Sequence, residues 1–347
     1  MNPDAVKEEE TIEKTIFAAR LFTGFWDRWQ AHGIETEAIQ AFSKAVHNKE
    51  DWIHYFCRYA DYHYKSAEEF EEKESMVIAA NHYQLSGLYF DLVQWIFPGD
   101  SKTKSNWYKK SLAAFDQADS LRKDKCQKRN IQTEEGVFKG RIRIPSHPKG
   151  TVIIINPADS AKEELFTYEN HFVELGFATV HFDGPGQGET LASFGIQASN
   201  SNWKRFVDNT IEFVYGELPD LPIYLFGTSS GANWSIAGSK HPLVRKAVAV
   251  SPAVSEGALP SYFTNRMKAM MEPESNQMLP DLQDLSDASP IYLFHGKEDT
   301  MVNDSDLYEL FDRLPEGKKM IEYEEEAHCC NRKLPEIREL AAAWFAM

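Results

Sequence analysis

The sequence predicts an α/β protein: a mainly parallel, doubly wound sheet preceded by a helical N-terminal region. Two observations carry this. Up to about residue 130 apolar residues recur at helical spacing. Beyond it, short β-branched runs alternate with amphipathic stretches, and turn residues separate them.

In the first part, Met76, Ala79, Ala80, Tyr83, Gly87 and Phe90 mark one helix face, and Ser66 with Glu69 reads as a capping box opening that helix. Pro98-Gly99-Asp100 breaks the chain before a helical pattern resumes over Trp107–Ala118. Thr11–Trp29 and Asp51–Tyr64 read as two further aromatic-rich helices, and no strand is expected in this part.

In the second part, Ile131–Pro145 reads as a hairpin turning near Glu135-Gly136. Thr151–Ile155, Phe177–Phe182, Pro222–Phe226, Ala247–Val250, Ile291–His295 and Met320–Tyr323 read as strands. Helices are expected from a capping box at Ser160 and Glu163 to Gly176, then over Asn202–Gly216, Gly231–Lys240, Ser305–Leu314 and Leu334–Phe345. Ser255–Ser289 is too long for a plain connection. It reads as a packed helical excursion or as a lid whose Met267, Met270, Met271 and Met278 adapt to an apolar ligand. The expected division is a helical domain over 1–130 and an α/β domain over 131–347, with 255–289 as a candidate lid insertion in the latter.

Acidic residues outnumber basic ones 53 to 37, a formal charge of −16, which disfavours nucleic acid and anionic membrane as partners. The cysteines at 57, 126, 329 and 330 have neither metal-site nor disulfide-framework spacing and read as free thiols. Met1–Glu10 is acidic and lacks an apolar stretch, and no run is long enough to span a bilayer, so a cytoplasmic protein is expected. No coiled-coil repeat fixes the oligomeric state, and a homodimer is compatible with the sequence.

The chemistry centres on Gly227-Thr228-Ser229-Ser230-Gly231, which follows a strand and opens a helix. A serine hydroxyl needs a base, and the base an orienting carboxylate. The α/β-hydrolase fold delivers them in the order serine, acid, histidine at successive strand ends. Asp299 follows the strand Ile291–His295, and His328 follows Met320–Tyr323. Ser229, Asp299 and His328 are therefore the expected catalytic residues. Glu298 and Asp304 are weaker acids for the role, and His295 reads as packing. An oxyanion needs two backbone donors. Ser230 is one, and the loop Asn156-Pro157-Ala158 supplies the other. Pro157 has no N–H, which leaves Ala158, or Asn156 through backbone or side chain. Asp183–Glu189 is glycine-rich but lacks the lysine of a phosphate loop, so it reads as a structural turn beside the site. No metal is expected.

Asp159-Ser160-Ala161-Lys162-Glu163-Glu164, Asp183–Glu189, the elbow and His328-Cys329-Cys330-Asn331 together resemble one α/β-hydrolase group. It comprises the 2,6-dihydropseudooxynicotine hydrolases, the fermentation-respiration switch proteins and fungal polyketide-shortening hydrolases. Ala80–Ala118 resembles that group's N-terminal domain, so the likeness covers roughly residues 75–347. The resemblance implies a helical domain that caps the catalytic one. It also implies cofactor-free hydrolysis of a small molecule, often at a carbon–carbon bond beside a ketone. Relatives usually carry Gly-Gly where this chain has Asn156-Pro157. Tyr83, Tyr89, Phe90, Trp95 and Trp107 would suit an apolar or aromatic substrate, and equally a helical core.

Overall fold

A computed structural model describes residues 3–99, 101–124, 126–254, 261–275 and 277–347. The chain divides into two compact units, one holding the residues up to Cys126 together with a helix at 261–270, the other holding the rest.

The first unit is helical. Its chain runs through α1 (Pro3–Leu21), a 3-10 turn, α2 (Asp27–His32), α3 (Thr36–Ala45), α4 (Lys49–Glu72), α5 (Met76–Trp95) and α6 (Lys102–Leu121). Asn48 caps α4 by accepting from the Asp51 N–H (2.8 Å), and Ser101 caps α6 through the Lys104 N–H (3.1 Å). α4 buries Trp52, Tyr55, Phe56, Ala60, His63 and Ala67 on one stripe. α5 packs between α4 and α6 and is buried almost all round from Tyr83 onward. Gly87 lets α6 approach, because a Cβ there would stand 2.5 Å from the Phe115 ring. Trp26, Phe42, Trp52 and Phe56 form an edge-to-face cluster, and the Trp52 indole N–H donates to the Leu92 carbonyl (3.0 Å).

Ser66 and Glu69 lie inside α4 and do not cap α5. The four-residue pattern is short, and the apolar stripe of α4 runs through it to Ala67. The break falls at Lys73-Glu74, where Glu74 takes φ 56°. Thr11–Trp29, expected as one helix, is instead the end of α1, a 3-10 turn and the start of α2. Tyr83, Tyr89, Phe90 and Trp95 are buried, and Trp107 stacks on Phe90.

The second unit is built on β1 (Cys126–Gln132), β2 (Val137–Arg143), β3 (Thr151–Ile155), β4 (Ala178–Phe182), β5 (Ile223–Thr228), β6 (Val244–Val250), β7 (Ile291–Gly296) and β8 (Lys319–Tyr323). Among the described residues these form one eight-stranded sheet, ordered β1-β2-β4-β3-β5-β6-β7-β8. β2 pairs antiparallel with β4, and every pair from β4 to β8 is parallel. β3, β4, β5 and β7 are buried throughout, as strands covered on both faces must be. Its helices are α7 (Phe166–Glu174), α8 (Gly188–Phe194), α9 (Asn200–Glu217), α10 (Ser230–Gly238), α12 (Asp304–Arg313) and α13 (Leu334–Phe345), while α11 (Ser261–Met270) belongs to the first unit.

The lid segment falls partly on residues 255–260 and 276, which lie outside the described residues. Its helix α11 packs on α1 in the first unit, and Arg266 sits 3.9 Å over the Trp95 ring. The capping box expected at Ser160 and Glu163 is absent, since α7 starts only at Phe166. The Ser160 hydroxyl instead donates to the Glu164 carboxylate (2.6 Å), while Glu163 pairs with Lys162 (3.0 Å).

A buried charge cluster ties α7 to the sheet. Alternation along β2 points Arg141 and Arg143 to one face, and Arg141 lies in register with His181 on β4. One Glu169 oxygen accepts from Arg141 (2.8 Å) and faces His181 Nδ1 (2.7 Å), and the other accepts from Arg143 (3.0 Å). Burial alone would raise the Glu169 pKa, but the two guanidinium groups and His181 hold it well below the usual carboxylate range. Replacing Glu169 by glutamine removes the shared carboxylate from two buried cations. We expect Glu169→Gln to lose about 3–5 kcal/mol, read as a lowered urea midpoint. An unchanged midpoint would contradict this account.

Candidate active site

β5 ends in a turn tight enough to require glycine on both sides. A Cβ on Gly227 would stand 2.1 Å from the Gly231 carbonyl oxygen. One on Gly231 would stand 2.2 Å from the Ile155 carbonyl oxygen and 2.7 Å from that of Asn156. Between them Ser229 adopts φ 53°, ψ −124°, a region L residues rarely occupy. Its N–H donates to the Val250 carbonyl on β6 (2.9 Å), and α10 starts at Ser230. The serine is thus fixed at the C-terminal edge of the sheet, half-buried.

Asp299 follows β7. One carboxylate oxygen accepts from the Met301 (2.8 Å) and Val302 (3.1 Å) N–H groups, and the other faces His328 Nδ1 at 2.7 Å. His328 follows β8, and its Nε2 lies 2.8 Å from Ser229 Oγ. The three side chains therefore form one continuous hydrogen-bonded chain. The loops that carry acid and histidine are stitched together. Lys297 N–H donates to the Tyr323 carbonyl and Glu298 N–H to the Glu326 carbonyl, both at 2.9 Å. Gly296 is overlain by backbone, with a Cβ there only 2.3 Å from the Glu326 carbonyl oxygen. The turn after His328 holds Cys329 at φ 69° and Cys330 at φ 48°, and the Cys329 N–H donates to the Ser251 hydroxyl (3.0 Å).

The other acids stand apart from this chain. Glu298 is exposed, and Asp304 accepts from His295 Nε2 (2.7 Å) and Lys297 (2.5 Å). Burial disfavours a charged His328, but the Cys329 thiol and the Asp299 carboxylate favour it more strongly, and its pKa is raised above the ordinary 6.5.

Ser230 is the first residue of α10, and Ala158 lies in the turn after β3, whose Ile155 and Asn156 carbonyls pack against Gly231. The Asn156 side chain points into the buried cluster, its oxygen 2.5 Å from His181 Nε2. Sequence reasoning passed over this link and over Gln187. The available signal was a histidine inside an apolar strand and arginines at alternate positions of its neighbour. Asp183 and Glu189 grip the buried Lys162 amine at 2.8 and 3.2 Å. Among the described residues no cluster of His, Cys, Asp and Glu is arranged to hold a metal ion, and no helix is long and apolar enough to cross a membrane.

Comparison with known proteins bears on the fold. The crystal structure of 2,6-dihydroxy-pseudo-oxynicotine hydrolase superposes with a TM-score of 0.77 at 19% identity, covering 92% of this chain and 95% of the other. The chain has the α/β-hydrolase fold. Wild-type AbyA5 superposes with a TM-score of 0.67 at 15% identity, over 89% of this chain and 88% of the other. The family model described as serine aminopeptidase, S33 matches residues 146–289, which include Ser229 and stop before Asp299 and His328. In sequence, the α/β-hydrolase ucsC of an Acremonium species is 24% identical over 230 residues, 58% of this chain and 46% of the relative. The 2,6-dihydropseudooxynicotine hydrolase of Paenarthrobacter nicotinovorans is 24% identical over 187 residues, 51% of this chain and 50% of the relative. The chain thus spans about half the length of the curated relatives it matches.

The elbow makes a structural prediction independent of any reaction. Gly231→Ala must push the β3 end away from α10, and we expect it to cost about 1–3 kcal/mol with loss of thermal stability. A melting temperature equal to that of the parent would show that the turn is looser than described.

Proposed function

We propose that the chain is a cofactor-free serine hydrolase acting on an activated carbonyl, either an ester or a C–C bond of a β-diketone-like compound. The observation that carries this reading is the chain from Asp299 through His328 to Ser229 at 2.7 and 2.8 Å. A loop histidine without a role would not sit between a buried carboxylate and a strained serine.

In the proposed reaction Ser229 Oγ attacks the carbonyl carbon while His328 Nε2 takes its proton. Asp299 keeps Nδ1 protonated and stabilises the imidazolium. The oxyanion is received by the backbone N–H groups of Ser230 and Ala158. Collapse breaks the bond to the leaving group, which takes the proton from His328 and departs as an alcohol or as an enol. Water, deprotonated by His328, then releases the acyl group as an acid. The β-diketone reading is supported by the 2,6-dihydropseudooxynicotine hydrolase likeness, and an enolate leaving group is stable enough for this machinery. A small substrate of apolar or aromatic character fits the same likeness.

A fluorophosphonate probe should label the wild-type protein and leave Ser229→Ala unlabelled. Turnover of an aryl ester or a β-diketone should fall at least about 10³-fold in that variant. Equal labelling of both proteins would refute the nucleophile. In heavy-oxygen water the acid product should carry the label, and an unlabelled product would point to acyl transfer to an internal nucleophile instead.

The raised pKa of His328 sets a pH profile, because only the neutral ring can accept the serine proton. Activity should climb with pH along a limb whose midpoint lies above 6.5. A limb at or below 6.5 in the wild type would contradict the assigned environment of the base.

A further inference from the structure

The glycine-rich turn Asp183–Glu189 is the motif that the proposed reaction leaves unused. Between its two acids the one long side chain is Gln187, which is 2% exposed. Its amide is spent on the strand-end loops. Nε2 donates to the Pro157 carbonyl (2.7 Å) and the Ala158 carbonyl (3.2 Å). Oε1 accepts from the Gly184 N–H (3.0 Å) and from Asn156 Nδ2 (3.4 Å). A carboxamide has two N–H donors and two acceptor positions, so these four contacts use its full capacity and fix its plane.

Both neighbours of the amide are themselves anchored. Asn156 faces His181 Nε2, and His181 rests on Glu169 with its two arginines. Gly188, at φ 39°, packs so closely on the Asp183 carboxylate that a Cβ would stand 2.4 Å from it, and that carboxylate accepts from the Lys162 N–H (2.7 Å). Gln187 therefore cannot swing away from the loop it holds.

The consequence falls on a single peptide unit. The Pro157 carbonyl and the Ala158 N–H share one amide plane, and among the described residues no peptide is cis, so the two bonds point in opposite directions. By holding the Pro157 oxygen, Gln187 turns the Ala158 N–H to the opposite side. Pro157 has no N–H of its own to offer. We infer that Gln187 is a positioning residue that sets the direction of the Ala158 oxyanion donor, an inference that rests on the serine-hydrolase reading above.

The test compares full-length Gln187→Met and Gln187→Glu with wild type on an aryl ester, with an aryl boronic acid as the tetrahedral-adduct analogue. Methionine keeps the length and loses both donors, and glutamate keeps the shape and sets a carboxylate against two carbonyls. We expect kcat to fall roughly 10- to 100-fold at a KM within about twofold, and the boronic acid Ki to rise by the same factor. A variant that merely folds poorly has fewer active molecules but an unchanged Ki among them. That outcome, or a wild-type kcat, overturns the inference. Ser229→Ala is run beside them. If it abolishes turnover while the Gln187 variants stay at wild-type rate, only the positioning role falls. If Ser229→Ala keeps its turnover, the nucleophile and this inference fall together.

Discussion

Ser229 can hold φ 53°, ψ −124° only because three stretches of backbone meet around it. Such a conformation costs of order 1–3 kcal/mol and persists where the surroundings over-determine it. Here those surroundings are the Gly227 and Gly231 contacts, the end of β3 beneath Gly231, and the Val250 carbonyl that accepts the Ser229 N–H. Parallel pairing of β3, β5 and β6 brings all three to one edge. The elbow is thus a product of the sheet's register, and the histidine that meets Ser229 and the carboxylate behind it come from the next two strand ends along the same edge.

The other side of that edge is organised by charge. Glu169, Arg141, Arg143 and His181 bind α7 to β2 and β4 in a region water does not reach. A cluster of this kind contributes little net stability compared with well-packed apolar groups, because its desolvation is expensive. It does supply direction. Hydrogen bonds run from it through Asn156 and Gln187 to the carbonyls of the β3 turn, so a local loop inherits the rigidity of the sheet.

Much of this was legible in the sequence. The alternation after residue 130 and the β-branched strands follow from periodicity, because a doubly covered parallel sheet writes apolar runs directly into the chain. Ser229, Asp299 and His328 could be named because each follows a strand in the order expected, and the structure brings them within hydrogen-bond distance. Two capping boxes misled. Serine and glutamate three apart also occur inside a helix, as at Ser66, or where the serine bonds a different residue, as Ser160 does with Glu164, four positions on. The break inside Thr11–Trp29 is not encoded by local spacing, since the 3-10 turn and the short α2 bring their aromatics together through tertiary contacts. Gln187 and Asn156 were invisible as a pair, being separated by a strand and a helix and joined only by folding.

The stitching of the acid and histidine loops bears on how this protein can vary. Connections at the edge of a sheet usually tolerate insertion and deletion. These two do not have that freedom, because the Glu326 carbonyl lies on Gly296 and also accepts from the Glu298 N–H. Lengthening one loop would unseat the other. Change is left to outward-facing side chains such as Thr300, Glu324 and Glu325. Asp299 and His328 are thus carried by what amounts to one heritable block, free to exchange residues at its surface and closed to any change of length.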